Sequence, residues 1–350
     1  TCNIYIPEIL KVYNSDLRIL FLYFPFVLCI SSCVSTQTPM RITENFFSPS
    51  YPSKNLDSVA SYNLTDETLY LFCTAKESNE ILVFDGKSGN LINTFGGTGD
   101  SSGKLQRPNG VAVFNNYLII TERDNHRLQI FSLPEFKSIA TLEENTLTRP
   151  YGIWLKPTMY SNVCHAFVTD QPEEGPGQIF QFELTLSEEM ASSKFIKSFG
   201  QDLFEYDLES ICGDLEFNRL LVAQESDSDP HILHFDLLEN KLQGKMGQGI
   251  FSADPEGMVL YPTGKKTGYW ICTDQRKKKS VFHIFDRASL EYVSSFDGNH
   301  TANTDGISIS MDPKPPRIFA VDDDARVTSF ILPDSFSPAA KPKKIKSYEK

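Results

Sequence analysis

No two cysteines of this chain stand in a Cys-x-x-Cys pair, and no Gly-rich Walker loop is present. A zinc site of that spacing, a dense disulfide framework and a P-loop nucleotide site therefore find no support. Basic excess is missing as well: Lys+Arg 33 stand against Asp+Glu 45, a net charge of -12. That sign excludes a non-specific nucleic-acid binder, which needs a basic footprint to displace counterions. The six histidines, His126, His165, His231, His234, His283 and His300, fall into no metal-ligand motif and read as loop or core residues. The longest apolar run, Ile19 to Ile30, is about a dozen residues, shorter than the roughly 20 a spanning helix needs.

That run follows Lys11 and Arg18, as the apolar core of a signal peptide does, and it leads into Ile30-Ser31-Ser32-Cys33. The expectation is an exported chain, either secreted or held at a bacterial cell envelope as a lipoprotein acylated on Cys33. Residues 1–33 are read as leader, 34–54 as a Ser/Thr/Pro-rich tether, 55–335 as the folded body and 336–350 as a Lys-rich solvated tail. The body retains Cys73, Cys164, Cys212 and Cys272, far apart in sequence and expected as buried thiols.

From about residue 58 the chain consists of short β-branched and aromatic segments separated by Gly, Pro, Asn and Asp, with almost no helical periodicity. An apolar stretch ending in phenylalanine recurs at Phe84, Phe131, Phe182, Phe235, Phe285 and Phe330, at intervals of roughly 45–53 residues. Each repeat has one grammar: a Gly-led strand such as Gly110-Val111-Ala112-Val113, a second strand ending in polar residues, a third carrying the Phe, and a fourth that is amphipathic. Six repeats of four strands predict an all-β chain folded as a six-bladed β-propeller. The sixth repeat stops near Pro333 without a fourth strand, so a segment around Arg41 to Phe47 is expected to close the ring.

In such a ring the loops entering the innermost strands and those leaving the second strands open on one face. The first set carries Asn109, Tyr151, Glu209, Asp254, Glu256 and Asp305. The second carries Lys76, Arg123, Asp170, Gln171, Glu225, Asp274, Gln275 and Asp322 to Asp324. Carboxylates gathered from about 250 positions of chain need positive charge between them, and calcium takes six to eight oxygen ligands of this kind. Lys76 and Arg123 beside them add groups suited to phosphate.

On these residues the chain, from about Asp57 to Phe330, resembles the β-propeller phytases. The motifs that carry the likeness are Glu209 with the strand ending at Glu225, Asp254-Pro255-Glu256-Gly257, Tyr269-Trp270-Ile271-Cys272-Thr273-Asp274-Gln275 and Asn303-Thr304-Asp305-Gly306-Ile307. The resemblance implies an exported, calcium-dependent phosphomonoesterase acting on phytate or related phosphate esters through metal-activated water. It implies several calcium ions on Asp57, Glu209, Glu225, Asp254, Glu256 and Asp305. Lys76, Arg123, Tyr151 and Gln275 would hold substrate, and Lys76, Arg123, Tyr151, Glu209 and Glu256 would serve catalysis. The partner implied is a small phosphorylated molecule rather than nucleic acid. The chain is expected to be a monomer that meets a membrane only through a lipid on Cys33. Where the family has a lysine at a second-strand exit this chain has Asp170-Gln171, Asn299 replaces an acid, and the paired acids of the first blade reduce to Leu56-Asp57. These departures remove groups used for a neighbouring phosphate and for part of the calcium set. A further segment, from Phe95-Gly96-Gly97-Thr98-Gly99 through Arg107-Pro108-Asn109-Gly110 to Asn125-His126-Arg127, resembles an NHL repeat. Two other readings fit the same architecture: a non-catalytic propeller binding a protein or glycan, and a metal-dependent lactonase or esterase using one central cation.

Overall fold

A computed structural model describes residues 38–332 except 205, 206, 227 and 313; the leader, Cys33 and the basic tail lie outside the described residues. Among the described residues there is no helix, and six antiparallel sheets form a six-bladed β-propeller. In the first blade the strands Leu56–Asn63, Leu69–Ala75, Glu80–Asp85 and Leu91–Gly96 run outward from the channel in chain order. The innermost strands of the other blades are Pro108–Phe114, Pro150–Pro157, Leu208–Asp214, Asp254–Pro262 and Ile307–Ser310. Each recurring phenylalanine sits on a third strand and is fully or almost fully buried. The six apolar clusters lie between neighbouring blades, one Phe anchor in each, so each blade is held by the two beside it.

The ring closes where the sequence predicts. Phe46–Phe47 pairs antiparallel with Arg326–Ile331 as the fourth strand of the last blade, Phe46 opposite Ser329 and Phe47 opposite Thr328. Thr328 Oγ1 donates to Phe46 O at 2.8 Å, and the Val327 amide donates to Ser48 Oγ at 3.0 Å. The sequence did not reveal a second clasp: Met40–Arg41 adds a parallel fifth strand to the edge of the fifth blade, with Arg41 Nε 2.8 Å from Asp297.

The heads of the inner strands determine what faces the channel. In five blades the register slips at the first residues of that strand, between Leu56 and Val59, Pro108 and Val111, Pro150 and Ile153, Leu208 and Ile211, and Pro255 and Met258. Such a bulge re-aims a side chain and leaves an amide outside the ladder. Three second-strand threonines take up that amide. The amides of Ser58, Gly110 and Gly152 donate to Thr74, Thr121 and Thr169 Oγ1 at 2.9, 2.7 and 2.7 Å. Each hydroxyl in turn donates to the carbonyl of the next blade's bulge residue, Asn109, Tyr151 or Glu209, at 2.8, 2.5 and 3.0 Å. At the fifth blade the Gly257 amide instead donates straight to Asp305 O at 2.7 Å, and the buried Thr273 hydroxyl has no partner. The backbones approach so closely here that a Cβ at Gly110 would lie 2.3 Å from Tyr151 O, which accounts for the glycine at the head of the strand.

Two outcomes follow. Thr169→Val strands one amide and one carbonyl, costing about 1–3 kcal/mol, whereas Thr273→Val removes an unpaired hydroxyl and leaves stability unchanged or higher; equal losses in urea titrations would contradict the relay. A chain starting at residue 55 loses the closing strand and melts about 5–10 °C lower, as checked by calorimetry; an unchanged melting temperature would show that closure is unimportant.

Candidate functional site

The bulges aim Asp57, Asn109, Tyr151, Glu209 and Glu256 into one channel, with Asp305 supplied by the loop before the sixth inner strand. Asp57, Tyr151, Glu209, Glu256 and Asp305 line a cavity of about 90 Å³. A second cavity, about 160 Å³, shares Tyr151 and Glu209 and adds Lys76, Arg107, Asn109, Arg123, Arg149, Gln171, Asp207 and Glu225. Residues far apart in sequence therefore meet at one mouth.

Charge is unevenly spread around that mouth. Blades one to three supply Lys76, Arg107, Arg123 and Arg149 with one channel acid, Asp57, and blades four to six supply Asp207, Glu209, Glu225, Glu256 and Asp305. Glu209, Glu225 and Glu256 each bring a carboxylate oxygen within 4.8 Å of the others, the first and last buried and Glu225 exposed. Burial together with Glu225 and Asp57 pushes the Glu209 carboxyl well above the usual range. Burial together with Glu209 and Asp305 does the same to Glu256. For Asp305, burial and Asp57 raise it against the opposing pull of Lys76.

Lys76 Nζ lies 2.6 Å from Asp57 Oδ1, and the Tyr151 hydroxyl donates to the same oxygen at 3.1 Å. Burial works against the Lys76 charge, but Asp57, Asp305 and Glu209 more than reverse this and hold the ammonium protonated. Burial, Asp57 and Glu209 push the Tyr151 phenol far up, so it stays a hydrogen-bond donor. Gln275 Nε2 donates to Asp305 Oδ1 at 2.7 Å, while Asp305 Oδ2 is buried without a hydrogen-bond partner. The triad is all oxygen, without histidine or cysteine, and suits a hard cation such as calcium rather than zinc.

Several predicted residues sit elsewhere. Asp254 lies outside both cavities; its Oδ1 accepts the Ser226 amide at 3.1 Å and so fixes the loop beside Glu225. Asp170, Asp274 and Asp322, expected at the mouth, are buried between strands, because successive side chains of a strand point to opposite faces. There they hold the loops that enter the inner strands. Asp170 accepts the Thr148 and Arg149 amides at 2.8 and 3.2 Å, Asp274 the Ala253 amide at 2.8 Å, and Asp322 the Ala302 amide at 2.8 Å. In the second blade Glu122 does the same for Gln106, at 3.0 Å. A Gly-x-Ser-x-Gly match at Gly99-Asp100-Ser101-Ser102-Gly103 lies in a loop with no helix after it, so it is no nucleophile elbow. Arg107 and Arg149 were missed, although Arg-Pro-x-Gly occurs at both 107–110 and 149–152 and would have marked them.

Comparison with known proteins agrees with the architecture. The NHL repeat family matches residues 105–131, within the second blade and the loop before it. The chain is a six-bladed β-propeller, one segment of which is similar to the NHL repeat. Regucalcin from Agrobacterium tumefaciens, a calcium-binding protein, is similar to this propeller at a TM-score of 0.53 and 11% identity, over 84% of this chain and 95% of that one. A chain in the crystal structure of a nidogen/laminin complex is similar at 0.51 and 14%, over 73% and 85%. At these identities the likeness is one of fold. No curated protein matches the propeller's sequence.

The raised carboxyls give stability a definite pH dependence. In the unfolded chain these groups ionise at about pH 4, while in the folded metal-free chain they hold their protons to higher pH. The unfolded state therefore binds fewer protons from about pH 4 upward, and stability falls with rising pH until the native groups also ionise. Melting temperatures of the chelated chain should decline between about pH 5 and 8, less steeply in Glu209→Gln. Parallel profiles for the two would contradict the assigned repulsion.

Proposed function

We propose that this propeller is a calcium-dependent phosphomonoesterase. The observation that carries the reading is that two members of an all-oxygen triad, Glu209 and Glu225, and four cationic side chains, Lys76, Arg107, Arg123 and Arg149, border one cavity, with the third member, Glu256, in the cavity that adjoins it. A phosphate ester bridging a metal and a basic wall requires both halves at once.

Glu209, Glu225 and Glu256 would hold the cation. Calcium bound there would supply Lewis-acid charge and acidify coordinated water. The chain's own side chains do the rest. Lys76 and Arg123 stabilise charge that grows on the phosphoryl oxygens during transfer. Lys76 serves as a fixed charge rather than a base, since its acidic neighbours keep it protonated. Tyr151 is likewise a donor rather than a nucleophile, and its bond to Asp57 fixes the ring against the channel wall. Asp57 partly neutralises Lys76, and Asp124, 2.7 Å from Arg123 Nε, does the same for Arg123. Gln275 holds Asp305 and orients it from the side.

A metal-dependent esterase or lactonase on this fold needs only one cation, and one compact carboxylate triad is found among the described residues. The basic wall favours phosphate over a neutral ester, and the similarity to a calcium-binding propeller accords with either.

The test is release of phosphate from p-nitrophenyl phosphate and phytate by the purified chain, with p-nitrophenyl acetate and a lactone in parallel. Calcium-dependent release that chelation abolishes is expected, with Glu209→Gln and Lys76→Ala each lowering kcat/KM at least about 100-fold. Ester or lactone cleavage without phosphate release would establish the second reading, and no turnover of any substrate would leave a binding propeller.

A further inference from the structure

The fully buried side chain on the basic wall is not one of the cations. Asn109 is 0% exposed, lines the larger cavity, and neither its amide nitrogen nor its amide oxygen has a hydrogen-bond partner. Buried carboxamides are almost always satisfied, so one left open at both ends of its amide in a cavity wall is placed to bond what enters the cavity. Gln171 Oε1 and Arg107 Nε, on the same wall, are buried and partnerless too.

Arg107 occupies a position that its backbone does not favour. The residue two before the channel side chain has positive φ in three blades: Asn55 at 52°, Arg107 at 47° and Asn303 at 42°. Asparagine adopts that region more readily than arginine does. Structure around Arg107 enforces the conformation: its amide donates to Asn79 Oδ1 at 2.7 Å, and its carbonyl accepts the Arg123 amide at 3.0 Å. Its guanidinium is only partly engaged: Nη1 donates to Glu77 Oε1 at 3.1 Å, while Nε is buried without a partner. Arg149 stands at the same point of the next blade, its own amide held by Asp170.

We propose that Asn109, Arg107 and Arg149 form the specificity pocket of the mouth, a receptor for one tetrahedral oxyanion in which the Asn109 amide is the orienting donor and the two arginines are the clamp. That the anion is a phosphoryl group of the substrate rests on the phosphomonoesterase reading. The cavity, about 160 Å³, is smaller than the roughly 300–1,000 Å³ that encloses a whole drug-sized ligand. It admits the phosphoryl group and leaves the alcohol part of the ester outside. The pocket therefore selects for the dianionic head and tolerates varied alcohols. The Asn109 carboxamide also explains a preference that arginines alone would not give: it donates to a phosphoryl oxygen and accepts from a protonated one, whereas an aspartate there would repel the anion.

The full chain is titrated calorimetrically with inorganic phosphate in the presence of calcium, with sulfate and acetate as comparison anions. The expected order is phosphate above sulfate above acetate. Arg149→Gln weakens phosphate binding at least about tenfold, and Asn109→Asp, which preserves side-chain size, weakens it further. Calcium-induced thermal stabilisation should persist in both variants, which shows that they fold and that the triad is intact. Arg107→Gln gives a second variant should Asn109→Asp fail to fold. Phosphate affinity in Arg149→Gln and Arg107→Gln within twofold of wild type overturns the pocket, as does a wild type that binds no phosphate. Phosphate binding without turnover of any phosphate ester removes the phosphomonoesterase reading and leaves the oxyanion pocket standing.

Discussion

The β-bulge at the head of the inner strands is the constraint on which the mouth depends. A strand in perfect register would alternate its side chains between the two neighbouring blades and bring none to the axis. The slip turns Asp57, Asn109, Tyr151, Glu209 and Glu256 toward the channel, and threonine hydroxyls meet the backbone cost in three blades. Because each of those hydroxyls also binds the next blade's bulge carbonyl, the aim of one side chain is tied to the position of its neighbour.

Electrostatics then acts on a ring whose shape is already fixed. Three carboxylates within 4.8 Å of one another, two of them buried, are unfavourable unless protonated or bridged by positive charge. Lys76 is committed to Asp57 at 2.6 Å and does not reach this role. The buried acids behind the mouth, Glu122, Asp170, Asp274 and Asp322, do different work. They accept loop amides and hold the residues two before each bulge in place, so that Arg107 and Arg149 come to one side and Asp254 and Asn303 to the other. The two arginines of the larger cavity are placed by these loops.

Sequence periodicity was sufficient for the architecture, because six phenylalanines recur in the same strand of every repeat and a missing fourth strand implies a donor from the N-terminal side. In each blade the channel side chain precedes a small residue, Gly or Ser, which marks the head of the inner strand in the sequence. The short parallel clasp at Met40–Arg41 was illegible, as two residues carry no pattern. Separating mouth acids from loop-holding acids was equally out of reach. Thr169-Asp170-Gln171 and Thr273-Asp274-Gln275 place the carboxylate one residue before the exit, and only strand alternation, once register is known, sends it away from the channel. Arg107 and Arg149 were readable in principle, but a repeated Arg-Pro-x-Gly looks like turn chemistry until the channel gives it a neighbour.

The central claim is that the triad gathers a divalent cation beside a basic wall. Anomalous diffraction from crystals grown with calcium and phosphate tests it most directly. The account predicts an anomalous peak bounded by Glu209, Glu225 and Glu256, with phosphate density between it and Arg149. A triad with no anomalous peak at saturating calcium, its carboxylates turned apart, would contradict it.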